Sequence, residues 1–144
     1  RFFAVRRGSE YVFFDVATWK QLYTVPMGPS ASSRAAIAFG AGGALAAIAY
    51  TTDHVRIIDT ATGAEVATLE APEAHAICEL CFSPDGTYLI SALGGGRVRI
   101  WDLLRIREQL APLGLDWASP PRPPPRQPPR LPARVEVDLG DLRG

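Results

Sequence analysis

The residues best able to carry chemistry in this sequence are Cys78 and Cys81, whose C-x-x-C spacing occurs in metal and redox sites. A structural zinc site needs four ligands, and the sequence offers only His54 and His75 besides these cysteines. On one strand, residues i and i+3 point to opposite faces with Cα atoms about 10 Å apart, whereas a disulfide needs less than about 7 Å. We therefore interpret both cysteines as reduced, small apolar residues between packed sheets, and we expect no metal.

Two further motifs could be mistaken for sites. Asp53 and His54 could form half of a catalytic triad, but no G-x-S-x-G nucleophile elbow accompanies them. The run 94–96 is all glycine but lacks the G-K-[ST] of a phosphate-binding loop. We interpret the pair as a turn and the glycines as a tight turn that requires positive φ. The sequence thus predicts no catalytic residue and no cofactor.

The C-terminal part is rich in proline and arginine. Residues 121–126 and 125–130 both fit the Pro-x-x-Pro-x-basic pattern that aromatic grooves bind. Polyproline II has three residues per turn, so arginines spaced by four spiral around it and form no stripe. A stiff linker over 118–134 is the favoured interpretation, with a partner ligand as the alternative. Residues 135–139, Val-Glu-Val-Asp-Leu, alternate like a strand and predict the start of a further, truncated element over 135–144.

Composition excludes several classes of protein. The 144 residues carry 15 basic and 15 acidic side chains, so the chain lacks the basic surplus of a nucleic-acid binder. No apolar run is long enough to predict a membrane span, and two cysteines cannot build a disulfide scaffold. The sequence opens on Arg1 and a strand-like run, without a signal-peptide pattern. We expect a segment of a longer protein; its location is unassigned, with the cytoplasm favoured.

A repeat organises the first hundred residues. The stretches 11–15, 55–59 and 98–102 align with each other, and their terminal aspartates, Asp15, Asp59 and Asp102, are 44 and then 43 residues apart. A fixed period in this range predicts a repeat architecture.

Each unit reads as four short strands with turns between them. In the middle unit the predicted strands cover 35–39, 44–50, 55–58 and 65–69. Branched and aromatic residues fill the strands, while Gly, Asp and Thr lie in the turns. Several strands are apolar on both faces, which predicts a sheet enclosed between two neighbours.

Three features together resemble the WD-repeat β-propeller: Trp101-Asp102 closing a strand, Ser83-Pro84-Asp85-Gly86 between two strands, and the repeat period. The resemblance implies an all-β fold of about two and a half four-stranded antiparallel blades, a partial β-propeller over 1–102 with units about 1–30, 31–72 and 73–102. It assigns structural roles to the family-motif positions, which are Asp15, Asp53, Asp59, Ser83, Pro84, Asp85, Gly86, Trp101 and Asp102.

After Asp102 the pattern becomes helical. Leu103, Ile106 and Leu110 recur at helical spacing, Asp102 is an expected N-cap, and Pro112 follows as a stop. We expect a short helix and turn over 103–117 in place of a fourth strand. WD-repeat rings usually close with an N-terminal strand, so the resemblance implies a terminal blade that requires the rest of the propeller ring.

The resemblance implies a non-enzymatic protein-protein interaction scaffold, with a protein rather than a nucleic acid as partner. Arg97 and Arg99 share one face of a strand and are the candidate partner contacts. The alternative is a regulatory or targeting region of a multidomain enzyme, because residues 106–117 resemble the segment after the propeller in large bacterial proteins, some with a serine/threonine protein kinase domain. A third hypothesis, a propeller hydrolase or lyase, requires convergent His, Asp or Glu side chains near the ring axis.

Overall fold

A computed structural model describes residues 1–29 and 36–117. The strands in this part of the chain are β1 (Phe2–Arg7), β2 (Glu10–Asp15), β3 (Gln21–Pro26), β4 (Ile37–Gly40), β5 (Leu45–Ala49), β6 (His54–Asp59), β7 (Glu65–Glu70), β8 (Ile77–Phe82), β9 (Tyr88–Leu93) and β10 (Arg97–Asp102). One α-helix follows, α1 (Leu103–Leu110), and short 3-10 turns cover Ala41–Gly43 and Ala111–Leu113.

The strands form three antiparallel sheets in chain order. The first sheet is β1-β2-β3, the second is β4-β5-β6-β7, and the third is β8-β9-β10. The predicted all-β fold of partial propeller blades followed by a short helix is confirmed. Since the repeat aspartates end β2, β6 and β10, the described first sheet lacks a counterpart of β4 and the third lacks a counterpart of β7.

The second sheet is buried on both faces. One face contributes Ala47 and Ile57 to the core shared with the third sheet. The other face contributes Ile48 and Ile58 to the core shared with the first sheet. All four side chains have no exposed surface. This enclosure explains why β5 is apolar at every position, and why Ile57 and Ile58 are adjacent on β6, rather than alternating with polar residues.

The second and third sheets approach each other closely at Gly40. A Cβ built on Gly40 would lie 2.6 Å from Cδ2 of Phe82, a distance that real Cβ atoms essentially never show. Gly40 is itself buried on β4, and β4 packs on β8. The absence of a side chain at Gly40 therefore lets the Phe82 ring lie against the backbone of the neighbouring sheet.

The outer faces of the first and third sheets are less apolar than the sequence predicts. Incomplete end blades predict exposed apolar faces formed by Phe2, Phe13 and Phe14 at one end and by Ile100 and Trp101 at the other, and this prediction is wrong for Phe13 and Trp101. Phe13 is fully buried toward the second sheet, and Trp101 packs against the core between the second and third sheets. The adjacent residues Phe14 and Ile100 point the other way, because side chains alternate along a strand: Ile100 is 62% exposed, and Phe3, which lies opposite Phe14, is 45% exposed.

Helix α1 begins and ends as the sequence predicts. The Asp102 carboxylate accepts a hydrogen bond from the Arg105 backbone N–H at 3.0 Å, which caps the first turn. Beyond the 3-10 turn that contains Pro112, Gly114 adopts φ 69°, a left-handed helix end. The predicted linker over 118–134 and the further element over 135–144 lie outside the described residues.

Arg107 on α1 binds residues 116 and 117, at the end of the described chain. Its buried guanidinium donates from Nε to Asp116 Oδ1 at 2.7 Å and from Nη2 to the Trp117 carbonyl at 2.6 Å. The same guanidinium carbon lies 5.0 Å from the centre of the Trp117 ring. The described chain therefore ends at a residue held close to α1.

Candidate partner-binding site

The outer edge of β10 differs from the equivalent edge of the second sheet. In the second sheet, β7 pairs with β6 through a hairpin that begins at Asp59. After Asp102 the chain enters α1 instead, and within 1–29 and 36–117 no strand pairs with the outer edge of β10. An unpaired edge offers a row of backbone N–H and C=O groups to another strand.

The side chains along β10 combine apolar and basic character. Val98 is 65% exposed and Ile100 is 62% exposed, on the face of the third sheet away from the second. Arg97 and Arg99 alternate with them and point to the other face. The edge therefore has an apolar side and a cationic side.

The structure brings both arginines next to the loop before β8. Nη1 of Arg97 lies 2.7 Å from Nε2 of His75 and 3.9 Å from Oε2 of Glu73. Nη2 of Arg99 donates to the Glu73 carbonyl at 3.1 Å, and its guanidinium lies 5.9 Å from the centre of the Trp101 ring. Sequence reasoning did not include Glu73 or His75 in this site, because more than 20 residues separate them from the arginines.

This cluster is solvated rather than buried. The side chains of Arg97 and Glu73 are 61% and 72% exposed. Exposed ion pairs contribute at most about 1 kcal/mol each. Two arginines also outnumber the single carboxylate among the groups that face each other here. The cluster is consequently a positively charged surface that an acidic partner can contact without first breaking a strong interaction.

The aspartates at the strand ends organise the chain at the end of each sheet. Asp15 accepts hydrogen bonds from the Ala17 N–H at 3.0 Å and the Thr18 hydroxyl at 2.8 Å, and these lower its pKa. Asp59 accepts from the Ala61 N–H at 2.9 Å in the matching turn. Asp102 uses the same position to cap α1. These carboxylates are engaged in turns and a helix cap.

Asp53 and His54 also build a turn. The Thr51 hydroxyl donates to Asp53 Oδ1 at 2.5 Å, and His54 Nδ1 lies 2.8 Å from the same oxygen. Hydrogen bonds from Thr51 first and from His54 second lower the pKa of Asp53. The His54 backbone N–H donates in turn to the Thr51 hydroxyl at 2.9 Å. These partners lie within one four-residue turn, so the pair stabilises the approach to β6.

The Ser83-Pro84-Asp85-Gly86 turn is held by its polar side chains. The Ser83 hydroxyl donates to Asp85 at 2.6 Å, and Asp85 also accepts from the Thr87 N–H at 3.0 Å. These bonds, with that from Ser83 the largest cause, lower the pKa of Asp85. Gly86 supplies the left-handed φ of 70° that the turn requires. The motif forms the turn that joins β8 to β9.

The cysteine interpretation needs one correction. Neither Cys78 nor Cys81 is part of a disulfide within the described residues, but Cys81 is exposed rather than a filler between sheets. A bulge between Ile77 and Glu79 shifts the register of β8, so Cys81 points to the same face as Ile90, away from the second sheet. Cys78 is half-buried in the bulge.

No cluster of three or more metal-ligating side chains occurs within 1–29 and 36–117. In the same part of the chain, no helix is long and apolar enough to cross a membrane.

Comparison with known proteins supports the repeat architecture. Residues 63–102 match the family model for the WD domain, G-beta repeat. The fold is similar to a chain of the Kuenenia stuttgartiensis hydrazine synthase, with a TM-score of 0.54 and 21% identity over 68% of this chain. The aligned part is 28% of that chain, so the present sequence spans less than a third of it. No curated protein matches.

The position of the matched repeat explains the open edge. Residues 63–102 contain β7 of the second sheet and all three strands of the third. One sequence repeat therefore supplies the outer strand of one sheet and the inner three of the next. Within the described residues, the third sheet has no counterpart of β7.

Proposed function

We propose that this chain is a non-enzymatic protein-protein interaction scaffold built on WD-type repeats, and that it binds partners at the outer edge of β10. The observation that carries this proposal is the outer edge of β10, which has no pairing strand among residues 1–29 and 36–117 and presents Val98 and Ile100 on one face and Arg97 and Arg99 on the other. Enclosed sheets behind it make the edge a rigid platform.

The chemistry of the edge defines the kind of partner. Backbone hydrogen bonds along β10 favour an extended segment that adds one more antiparallel strand. Apolar residues at every second position of that segment would cover Val98 and Ile100, and acidic residues between them would face the two arginines. The partner expected here is thus a protein segment with alternating apolar and acidic residues.

The polar side chains support a binding role over a catalytic one. Asp53 and Asp85 have lowered pKa values and accept hydrogen bonds within their own turns. A general acid or base needs a pKa near the working pH, so these carboxylates fit structural roles better. A regulatory region of a multidomain protein kinase remains the alternative, supported only by the sequence that follows Asp102.

Affinity capture tests this proposal. The full chain would be compared with Arg97→Glu/Arg99→Glu and with the control Arg7→Glu/Lys20→Glu, which makes the same change in charge on the first sheet. We expect the β10 variant to capture about tenfold less of each partner than wild type or the control captures. The reason is that two charge pairs at about 0.5–1 kcal/mol each are replaced by repulsion. Equal capture by all three proteins would place the binding site elsewhere.

A further inference from the structure

We infer that residues 135–139 of this same chain bind along the open edge of β10 and complete the third sheet as its fourth strand. The inference deepens the proposed function and rests on it, because it names the first occupant of the proposed partner-binding edge. It is argued from the outer strands of the other two sheets, from charge and from chain length.

The outer strands of the first two sheets share one pattern. In β3 and β7 an apolar side chain is buried at the position that faces the neighbouring sheet, Val25 at 5% and Leu69 at 6% exposure. The residues on either side, such as Thr68 and Glu70, are exposed. Near the buried position, each outer strand places its apolar side chain toward the neighbouring sheet and an exposed threonine, Thr24 or Thr68, toward the other face.

The pairing in the second sheet specifies what β10 should accept. Leu69 lies opposite Val55, Thr68 opposite Arg56, and Ala67 opposite Ile57. The matching positions of β10, 43 residues later, are Val98, Arg99 and Ile100. The missing strand needs apolar residues beside Val98 and Ile100 and a polar or acidic residue beside Arg99.

The sequence Val135-Glu136-Val137-Asp138-Leu139 meets this requirement at every position. In the register of the second sheet, Val135 and Val137 lie beside Ile100 and Val98.

In the same register, Glu136 and Asp138 lie opposite Arg99 and Arg97. Opposite charges directly across an antiparallel pair are stabilising. The second sheet contains a diagonal ion pair between the same two strands, since Nε of Arg56 on β6 lies 2.8 Å from Oε2 of Glu65 on β7, the partner of Ile58.

The chain is long enough to make this return. An antiparallel partner of β10 must begin beside Asp102, the end from which α1 leaves. Trp117 is held against Arg107, so the described chain ends within the length of this eight-residue helix, about 12 Å at about 1.5 Å per residue. The 17 residues of 118–134 can span up to about 50 Å even as polyproline II, at about 3.1 Å per residue.

A tethered strand would compete with every external partner. The linker makes this pairing intramolecular, so a partner strand must displace residues 135–139 before it pairs with β10. The edge would then be protected against uncontrolled pairing with other chains.

Amide hydrogen exchange on the full chain tests the inference. We expect the alternate amides of β10 that point away from β9 to exchange at least about tenfold faster in Glu136→Lys/Asp138→Lys than in wild type. The control Glu108→Lys/Asp141→Lys makes the same change in charge outside the segment and should leave these amides as in wild type. Val137→Pro, which removes a backbone donor, should accelerate the same amides.

Exchanging the charges provides the decisive variant. Adding Arg97→Glu/Arg99→Glu to Glu136→Lys/Asp138→Lys should restore slow exchange, because the pairs are reformed with opposite signs. Equal exchange of the β10 edge in wild type, Val137→Pro and both charge variants would overturn the inference. Protection that rises with protein concentration would also overturn it, since the strand would then come from a second copy.

These outcomes are separable from the proposed function. If β10 exchange does not respond to changes at 135–139 while Arg97→Glu/Arg99→Glu still loses captured partners, the tail inference fails and the scaffold proposal stands.

Discussion

Truncating Phe13 and truncating Phe14 should have very different effects, although the two residues are adjacent and identical. Phe13 has no exposed surface, stacks on Tyr23 with ring centroids 4.8 Å apart and meets Phe39 edge-on at 6.2 Å. Loss of a fully buried Phe ring costs about 3–5 kcal/mol, including the cavity that remains. Phe14 is half-buried, and the centre of its ring lies 6.3 Å from the centre of the Phe3 ring. Its truncation should cost about 1 kcal/mol.

Urea unfolding followed by far-ultraviolet circular dichroism measures both values. We expect Phe13→Ala to lower the free energy of unfolding by at least about 2 kcal/mol more than Phe14→Ala. Phe13→Leu is the matched variant that retains most of the volume, and it should fall between wild type and Phe13→Ala. Equal losses for Phe13→Ala and Phe14→Ala, or a larger loss for Phe14→Ala, would refute the assignment of Phe13 to the face that packs on the second sheet.

Three further predictions follow from close contacts. Gly40→Ala should lower the free energy of unfolding by about 1–3 kcal/mol in urea titrations, because its methyl group would overlap the Phe82 ring; an unchanged midpoint would contradict the close approach of the two sheets. Asp85→Asn should be less stable than wild type at pH 7, with a difference that shrinks as the pH falls below about 4. The native pKa of Asp85 is lowered, so its stabilisation is present above the unfolded-state pKa and is lost as pH falls through the native value; a difference independent of pH would contradict this. Arg107→Ala should speed chymotrypsin cleavage after Trp117 about tenfold, since the buried pair that holds this turn is broken; an unchanged rate would show that Arg107 does not hold the turn.

Much of the fold could be predicted from the sequence because strand and helix patterns are local. The aspartates at 43–44-residue spacing, the apolar runs of the middle unit and the helical spacing after Asp102 each depend on near neighbours. The structure places strands close to the predicted ranges of the middle unit, and it places α1 at Leu103–Leu110.

The predictions that failed depended on register. Whether Phe13 or Phe14 faces the second sheet is decided by one residue of alternation, which two adjacent phenylalanines cannot reveal. Cys81 turned outward because a bulge in β8 breaks the regular alternation. A bulge has no clear signal in a strand composed of Ile, Cys, Glu, Leu and Phe.

Only part of the candidate partner-binding site could be predicted from the sequence. Arg97 and Arg99 stood out by their alternation on one strand. Their contacts with Glu73 and His75 arise from the packing of a loop beside β10, across more than 20 residues of sequence. Such contacts depend on tertiary structure and leave no local pattern.

Photocrosslinking from Ile100 tests the central claim most directly. A photoreactive phenylalanine analogue at Ile100, which is 62% exposed beside the open edge, would be compared with the same analogue at Leu113, which is 70% exposed in the turn after α1. The account predicts crosslinks from Ile100, to a partner protein or to residues 132–141 of the chain, and few from Leu113. Crosslinks that form equally from both positions, or only from Leu113, would contradict a binding edge at β10.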